Sequence, residues 1–149
     1  MLMAREPEGL GALTNDGKET WEEIDFPVDS GATETVVSEE MLRTIETVEG
    51  DASRRKVEYE VANGEWIPNL GEKKFIASTE SGMLRRMTAQ VCGVSKPLLS
   101  VKRILQAGNR VVFDPAGSYI EDVESGEVSM LKEEGGMFML KLWCKKPSF

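Results

Sequence analysis

The dipeptide Asn63-Gly64 stands between two runs that alternate apolar and polar residues, and this commits the chain to paired strands. Both residues tolerate the positive φ that a two-residue hairpin turn demands. Val57, Tyr59 and Val61 alternate with Glu58 and Glu60 on the way in, and Trp66, Ile67 and Leu70 lie on the way back. The pattern predicts a hairpin within residues 57–75. Other short apolar runs follow the same logic. A strand is expected over 21–28, with Pro27 placing it at an edge or breaking it, because proline cannot donate to a ladder. Another is expected over 35–37, then a brief helix with Ser38 as its N-cap. A second strand pair, 74–78 and 87–94, surrounds Glu80-Ser81-Gly82. The apolar step Leu98-Leu99-Ser100-Val101 leads into a helix over 101–106, stopped by Gly108. Strands over 111–113, 118–120, 128–131 and 137–143 complete the chain, and Phe138, Leu140, Leu142 and Cys144 share one face as sheet packing. Tyr59 and Trp66 read as core aromatics of a strand pair. The fold class is mainly β, with one or two short helices.

Composition narrows the chemistry. The chain has no histidine, which removes Ser-His and Cys-His nucleophile pairs and the commonest zinc ligand. Lys and Arg total 18 against 26 Asp and Glu, a net charge of -8, and that balance argues against tight nucleic-acid binding. Arg54-Arg55-Lys56, the one dense basic cluster, reads as a solvated loop. Cys92 and Cys144 are too few for a disulfide framework or a four-thiolate metal site, and are expected to be structural thiols. No run has the apolar length of a membrane span, and the start lacks a signal-peptide pattern, so an intracellular, cytoplasmic setting is expected, with no membrane partner. Catalysis would then fall to carboxylates, lysine, a thiol unaided by imidazole or a cofactor, with carboxylates the first place to look.

One carboxylate is well placed for it. In Phe26-Pro27-Val28-Asp29-Ser30-Gly31-Ala32-Thr33 an acid ends an apolar strand at a turn of small residues. Ser30 can donate a hydroxyl, and Ala32 leaves room for a ligand. This segment resembles the active-site turn of the retropepsin family of aspartic proteases, most of all the protease segment of copia-type retrotransposon polyproteins. The resemblance runs over roughly residues 21–113. The Asp-Ser-Gly-Ala turn is followed by the Asn63-Gly64 hairpin, by Leu98-Leu99-Ser100-Val101 with its helix, and by Val111-Val112-Phe113. Two positions depart from the family pattern: Ser100 stands for its glycine, and Pro27 for an apolar strand residue.

The resemblance implies a retropepsin-like closed β-barrel over residues 21–117, preceded by a flexible tail over 1–20 and followed by a C-terminal β-meander over 118–149 packed on the same domain. It implies Asp29 as the catalytic acid, with Ser30, Gly31 and Ala32 as its turn. Thr33, the flap tip Ala62-Asn63-Gly64, and Leu98 would contact a polypeptide substrate. No metal or other cofactor is called for. Two carboxylates must share one proton in this chemistry, and the sequence holds no second Asp-Ser/Thr-Gly, so a homodimer is implied. Its substrate would be a polypeptide, foremost its own polyprotein. The alternative is a non-catalytic retropepsin-fold module for dimerisation or peptide binding, from a decayed or domesticated element.

Overall fold

The computed structural model of the chain describes residues 20–147, so the tail expected over residues 1–20 lies outside them except for Thr20. In β1 (Glu22–Asp29) exposed acids alternate with the more buried Ile24 and Phe26. A loop leads to β2 (Val36–Val37), both residues of which are buried. Turns and α1 (Asp51–Arg54) precede the hairpin of β3 (Glu58–Glu60) and β4 (Trp66–Pro68). β5 (Gly71–Ser78) and β6 (Leu84–Val91) then pair antiparallel along their full length. β7 (Leu99–Ser100) runs directly into α2 (Val101–Gln106). A three-stranded sheet follows, of β8 (Asn109–Val112), β9 (Tyr119–Asp122) and β10 (Val128–Met130). β11 (Lys132–Glu134) and β12 (Met137–Lys145) complete the order.

The main sheet runs β2-β6-β5-β12-β1-β7, with β11 added on β12. Its two ends meet: Leu98, just ahead of β7, bridges Val36 of β2, so the sheet is a nearly closed barrel. The inward residues follow the strand period of two. Phe26 comes from β1, Phe75 and Ala77 from β5, Ala89 and Val91 from β6, and Leu140, Leu142 and Cys144 from β12. Each large apolar side chain buried here contributes about 1.5–3 kcal/mol. The stretch 118–149 supplies β9 to β12, and β12 lies inside the main sheet between β5 and β1. Among the described residues, no helix is long and apolar enough to cross a membrane.

Several sequence expectations are corrected. Pro27 neither breaks β1 nor puts it at an edge. It is buried, pairs with Met139, and is the last residue of β1 on β12; the ladder with β7 begins one residue later, at Val28. The missing N–H therefore falls where the strand changes partners. No helix forms after Ser38. Its place is taken by turns, with Leu42 at φ 55°. The reason is Lys73 of β5, which is 2% exposed and donates from Nζ to the carbonyls of Glu39 (3.1 Å), Met41 (2.8 Å) and Leu42 (3.0 Å). Those carbonyls are then held by an ammonium group and not by a helical ladder. The hairpin loop also differs from a two-residue turn. Gly64 N–H donates to the Val61 carbonyl and Val61 N–H to the Glu65 carbonyl, so the loop is the three residues Ala62-Asn63-Gly64, with only Gly64 (φ 87°) in the left-handed region. α2, by contrast, covers the expected residues, with Gly108 at φ 87° beyond its end.

Candidate active-site turn

β1 ends at Asp29, beside Ser100 in a parallel ladder. The loop that follows straddles residues 98–100: this segment runs parallel to β1 on one side and bridges β2 antiparallel on the other. A chain passing between two strands joined by their own loop needs that loop held up from beneath. Ser100, 0% exposed, does so. Its hydroxyl donates to the Ala32 carbonyl at 2.7 Å, and its N–H donates to Thr35 Oγ1 at 3.1 Å. The same oxygen accepts the Arg103 N–H at 3.2 Å, capping α2. From α2 the Arg103 guanidinium reaches back to the loop and grips both oxygens of Glu34, a bidentate pair that raises the Arg103 pKa.

Within this frame the Asp29 carboxylate is oriented locally. Gly31 N–H donates to its Oδ1 at 2.8 Å, and Ala32 N–H makes a long bond of 3.4 Å to its carbonyl. A Cβ on Gly31 would meet only Asp29 Oδ1, at 3.4 Å, so the space over the turn is open. Ser30, Gly31 and Thr33 are exposed, and Ala32 is half-buried.

All three residues of the hairpin tip, Ala62-Asn63-Gly64, are exposed, and beyond the adjoining residues nothing comes within 4 Å of a Cβ built on Gly64. Its base is tied down. Asn69 donates to Tyr59 OH and to Gln90 Oε1, both at 2.9 Å, and its N–H closes the hairpin on the Val57 carbonyl. Burial pushes the Tyr59 phenol above its usual range, and the Glu34 carboxylate adds to that push while Asn69 and Arg103 oppose it.

Asp29, Gly31 and Ala32 thus belong to one hydrogen-bonded knot, and the hairpin tip is a separate projecting element. Leu98 is half-buried and its backbone is engaged with Val36 in both directions at 3.0 Å. A cavity of about 440 Å³ lies elsewhere in the barrel; Leu99 lines it, whereas Leu98, Asp29 and the hairpin tip do not. Trp66 is 60% exposed on β4, which corrects its reading as a core aromatic, while Tyr59 is half-buried. A two-stranded hairpin standing off the barrel has no second layer to cover it. Both cysteines are buried and free; burial raises the Cys92 thiol and, with Glu22 adding, pushes Cys144 up to about 12.

Thr35 and Ser100 hold this loop, and Lys73 and Glu22 fasten the neighbouring 39–44 turns; the sequence reading noted Ser100 only as standing for the family's glycine and gave none of the four a supporting role. A serine directly ahead of a helix is a cap signal, so Ser100 could have been found. The others act over distances along the chain that no local pattern encodes. Comparison with known proteins returns no match: no family model, no curated protein and no solved structure matches the chain.

Proposed function

We propose that the chain is one half of a homodimeric aspartic endopeptidase, with Asp29 from each subunit sharing one proton and one water. The observation that carries this is the Asp29 turn. A carboxylate ends a strand at an open loop, one of its oxygens is fixed by Gly31, and the loop is braced from below by Ser100 and Thr35. Such bracing leaves the acid little freedom, which is what acid–base chemistry on a positioned water needs. In the dimer the ionised Asp29 would take a proton from the water, and the protonated one would hydrogen-bond the scissile carbonyl. Ser30, exposed on the turn, would brace the two loops across the two-fold axis. Ala32 and Thr33 would flank the peptide, with Leu98 at its apolar side chains. The tied base and exposed tip of the hairpin suit a flap that closes over a peptide. The substrate class is polypeptide, foremost a retroelement polyprotein that includes the chain itself.

The test is cleavage of a peptide library at acidic pH by the chain and by Asp29→Asn. The substitution is nearly isosteric, so the fold and dimer should persist while cleavage disappears. Cleavage by the variant near the wild-type rate would remove Asp29 from the chemistry. Absence of cleavage by a wild-type chain that does form dimers would leave a binding module.

A further inference from the structure

β5 covers one side of β6 along its whole length, whereas β2 on the other side reaches only Gln90 and Val91. The N–H groups of Gln90 and Cys92 donate toward that other side, to the Thr35 and Val37 carbonyls at 2.8 and 3.1 Å, while the Val91 carbonyl turns back and accepts from Leu70, the residue ahead of β5. Residues two apart in a strand aim their backbone groups to the same side. The N–H and C=O of Thr88 and Leu84 therefore face away from β5. Among the described residues, no strand runs beside residues 84–89 on that side.

The cavity of about 440 Å³ opens along this edge. Successive side chains of a strand point to opposite faces, so a cavity beneath one face of a sheet meets every second residue. Here Arg85, Arg86, Met87 and Thr88 line it in unbroken succession, so it wraps round the edge of β6. Arg85 marks the far wall: its guanidinium donates to the Ala107 carbonyl at 3.4 Å and to Asn109 Oδ1 at 2.8 Å, where α2 gives way to β8. The depth is apolar, with Leu99, Ile104, Ile120, Leu140 and Leu142. The charged lining is already engaged, Arg85 with Asp122 at 3.2 Å and Arg103 with Glu34, so a charged guest would lose its water for little return. The gap suits uncharged, apolar side chains.

We infer that an extended peptide segment adds to the free edge of β6 as a further strand, with alternate apolar side chains seated in the cavity. An unpaired edge is a template for another strand, and main-chain bonds to Thr88 and Leu84 supply the attachment. The apolar depth sets which side chains fit. The added strand lies next to the loop that follows Asp29, because Glu34, Thr35 and Arg103 belong both to the cavity lining and to that loop with its brace. Its binding does not depend on cleavage: a chain that cuts no peptide would still take it up.

The probe is acetyl-Thr-Leu-Thr-Leu-Thr-Leu-Thr-amide, titrated into the full chain at neutral pH by calorimetry, with backbone amides and methyl groups followed by magnetic resonance. Saturable binding of one peptide per chain is expected, with amide hydrogen exchange slowed at Leu84 and Thr88 and methyl shifts at Met87, Ile104 and Ile120. Two further peptides carry N-methyl groups on the leucines only or on the threonines only. Backbone groups in a strand alternate in direction, so one of the two should bind like the parent and the other not at all. Thr88→Pro removes an edge N–H where proline is tolerated, and should weaken binding about tenfold or more, as expected for losing roughly one hydrogen bond. If that variant fails to fold, the methylated pair and the amide map decide alone. Lack of saturable binding, equal binding of the two methylated peptides, full binding by a folded Thr88→Pro, or shifts centred on the Asp29 turn and the hairpin tip would each overturn the inference. So would slow exchange at Leu84 and Thr88 already in the peptide-free chain, since a second copy or residues 1–19 would then hold the edge.

Discussion

Ser100 uses its N–H and its hydroxyl in three bonds: the N–H on Thr35, and the hydroxyl once as donor to Ala32 and once as acceptor from Arg103. The glycine that the retropepsin pattern carries at this step could make only the first of these contacts. Ser100→Ala should therefore cost about 2 kcal/mol, roughly one for the lost cap and one for the freed Ala32 carbonyl. A urea titration measures it directly, and a loss below a few tenths would mean that water replaces the hydroxyl at no cost. That Asp29 ends a strand at a turn was legible in the sequence, because a motif of small residues around an acid survives as a string of letters. The supports beneath it were not. Thr35 matters only because residues 98–100 pass beside it, and nothing near Thr35 in the chain announces that passage.

At the scale of elements, some short-range patterns were legible, although the helix expected after Ser38 did not form, and partnerships were not. α2 and the β5–β6 hairpin follow from local capping and alternation. The position of β12 between β5 and β1 depends on closing a sheet from strands far apart in the chain, and Phe138, Leu140 and Leu142 alternate in the same way whichever neighbours they have. Glu22 shows how one such distant contact is fixed. Its carboxylate accepts from Arg43 N–H, Thr44 N–H and the Thr44 hydroxyl, fastening the 43–44 turn to the start of β1. Burial pushes its carboxyl up, but the Thr44 and Arg43 bonds together outweigh burial and hold the pKa below the ordinary glutamate value. A pKa lower in the folded than in the unfolded state gives stability that is fully present above the unfolded value and is lost as pH falls through the folded one. The stability gap between wild type and Glu22→Gln should thus be constant above about pH 5 and shrink below it; a gap that widens in acid would refute the assignment. The flap is tested by two glycines. Gly64→Val strains a left-handed position in open space, so the melting temperature should fall by a few degrees at most while peptide turnover collapses. Gly71→Ala is the control: its Cβ would stand 2.6 Å from the Val48 carbonyl oxygen at φ 134°, so it should damage the fold itself. If both glycines prove equally costly to stability, the hairpin is part of the core scaffold and no flap.

For the whole molecule, charge decides when two copies can meet. Each subunit carries -8 at neutral pH, so two approaching subunits repel. Protonation of carboxylates reduces that repulsion as pH falls toward the sequence isoelectric point of about 4.7, and salt screens it at any pH, over about 10 Å at 0.1 M. Dimer formation should therefore rise on acidification at low salt, and at neutral pH it should rise with added salt. Peptide cleavage has a second requirement. In the proposed dimer two Asp29 carboxylates would have to hold one proton between them, and a dyad that shares a proton gives a bell-shaped rate on the acid side of neutral. Salt restores the encounter but supplies no proton. At neutral pH, high salt should thus recover the dimer fully and the cleavage rate only in part, whereas acid should recover both. Sedimentation and peptide turnover measured across pH at two salt concentrations separate these effects. If turnover at neutral pH follows the dimer fraction point for point as salt is added, a shared proton is not what limits the enzyme. If the chain stays monomeric throughout and no peptide is cut, Asp29 has no partner and the proposed protease fails at the step of assembly.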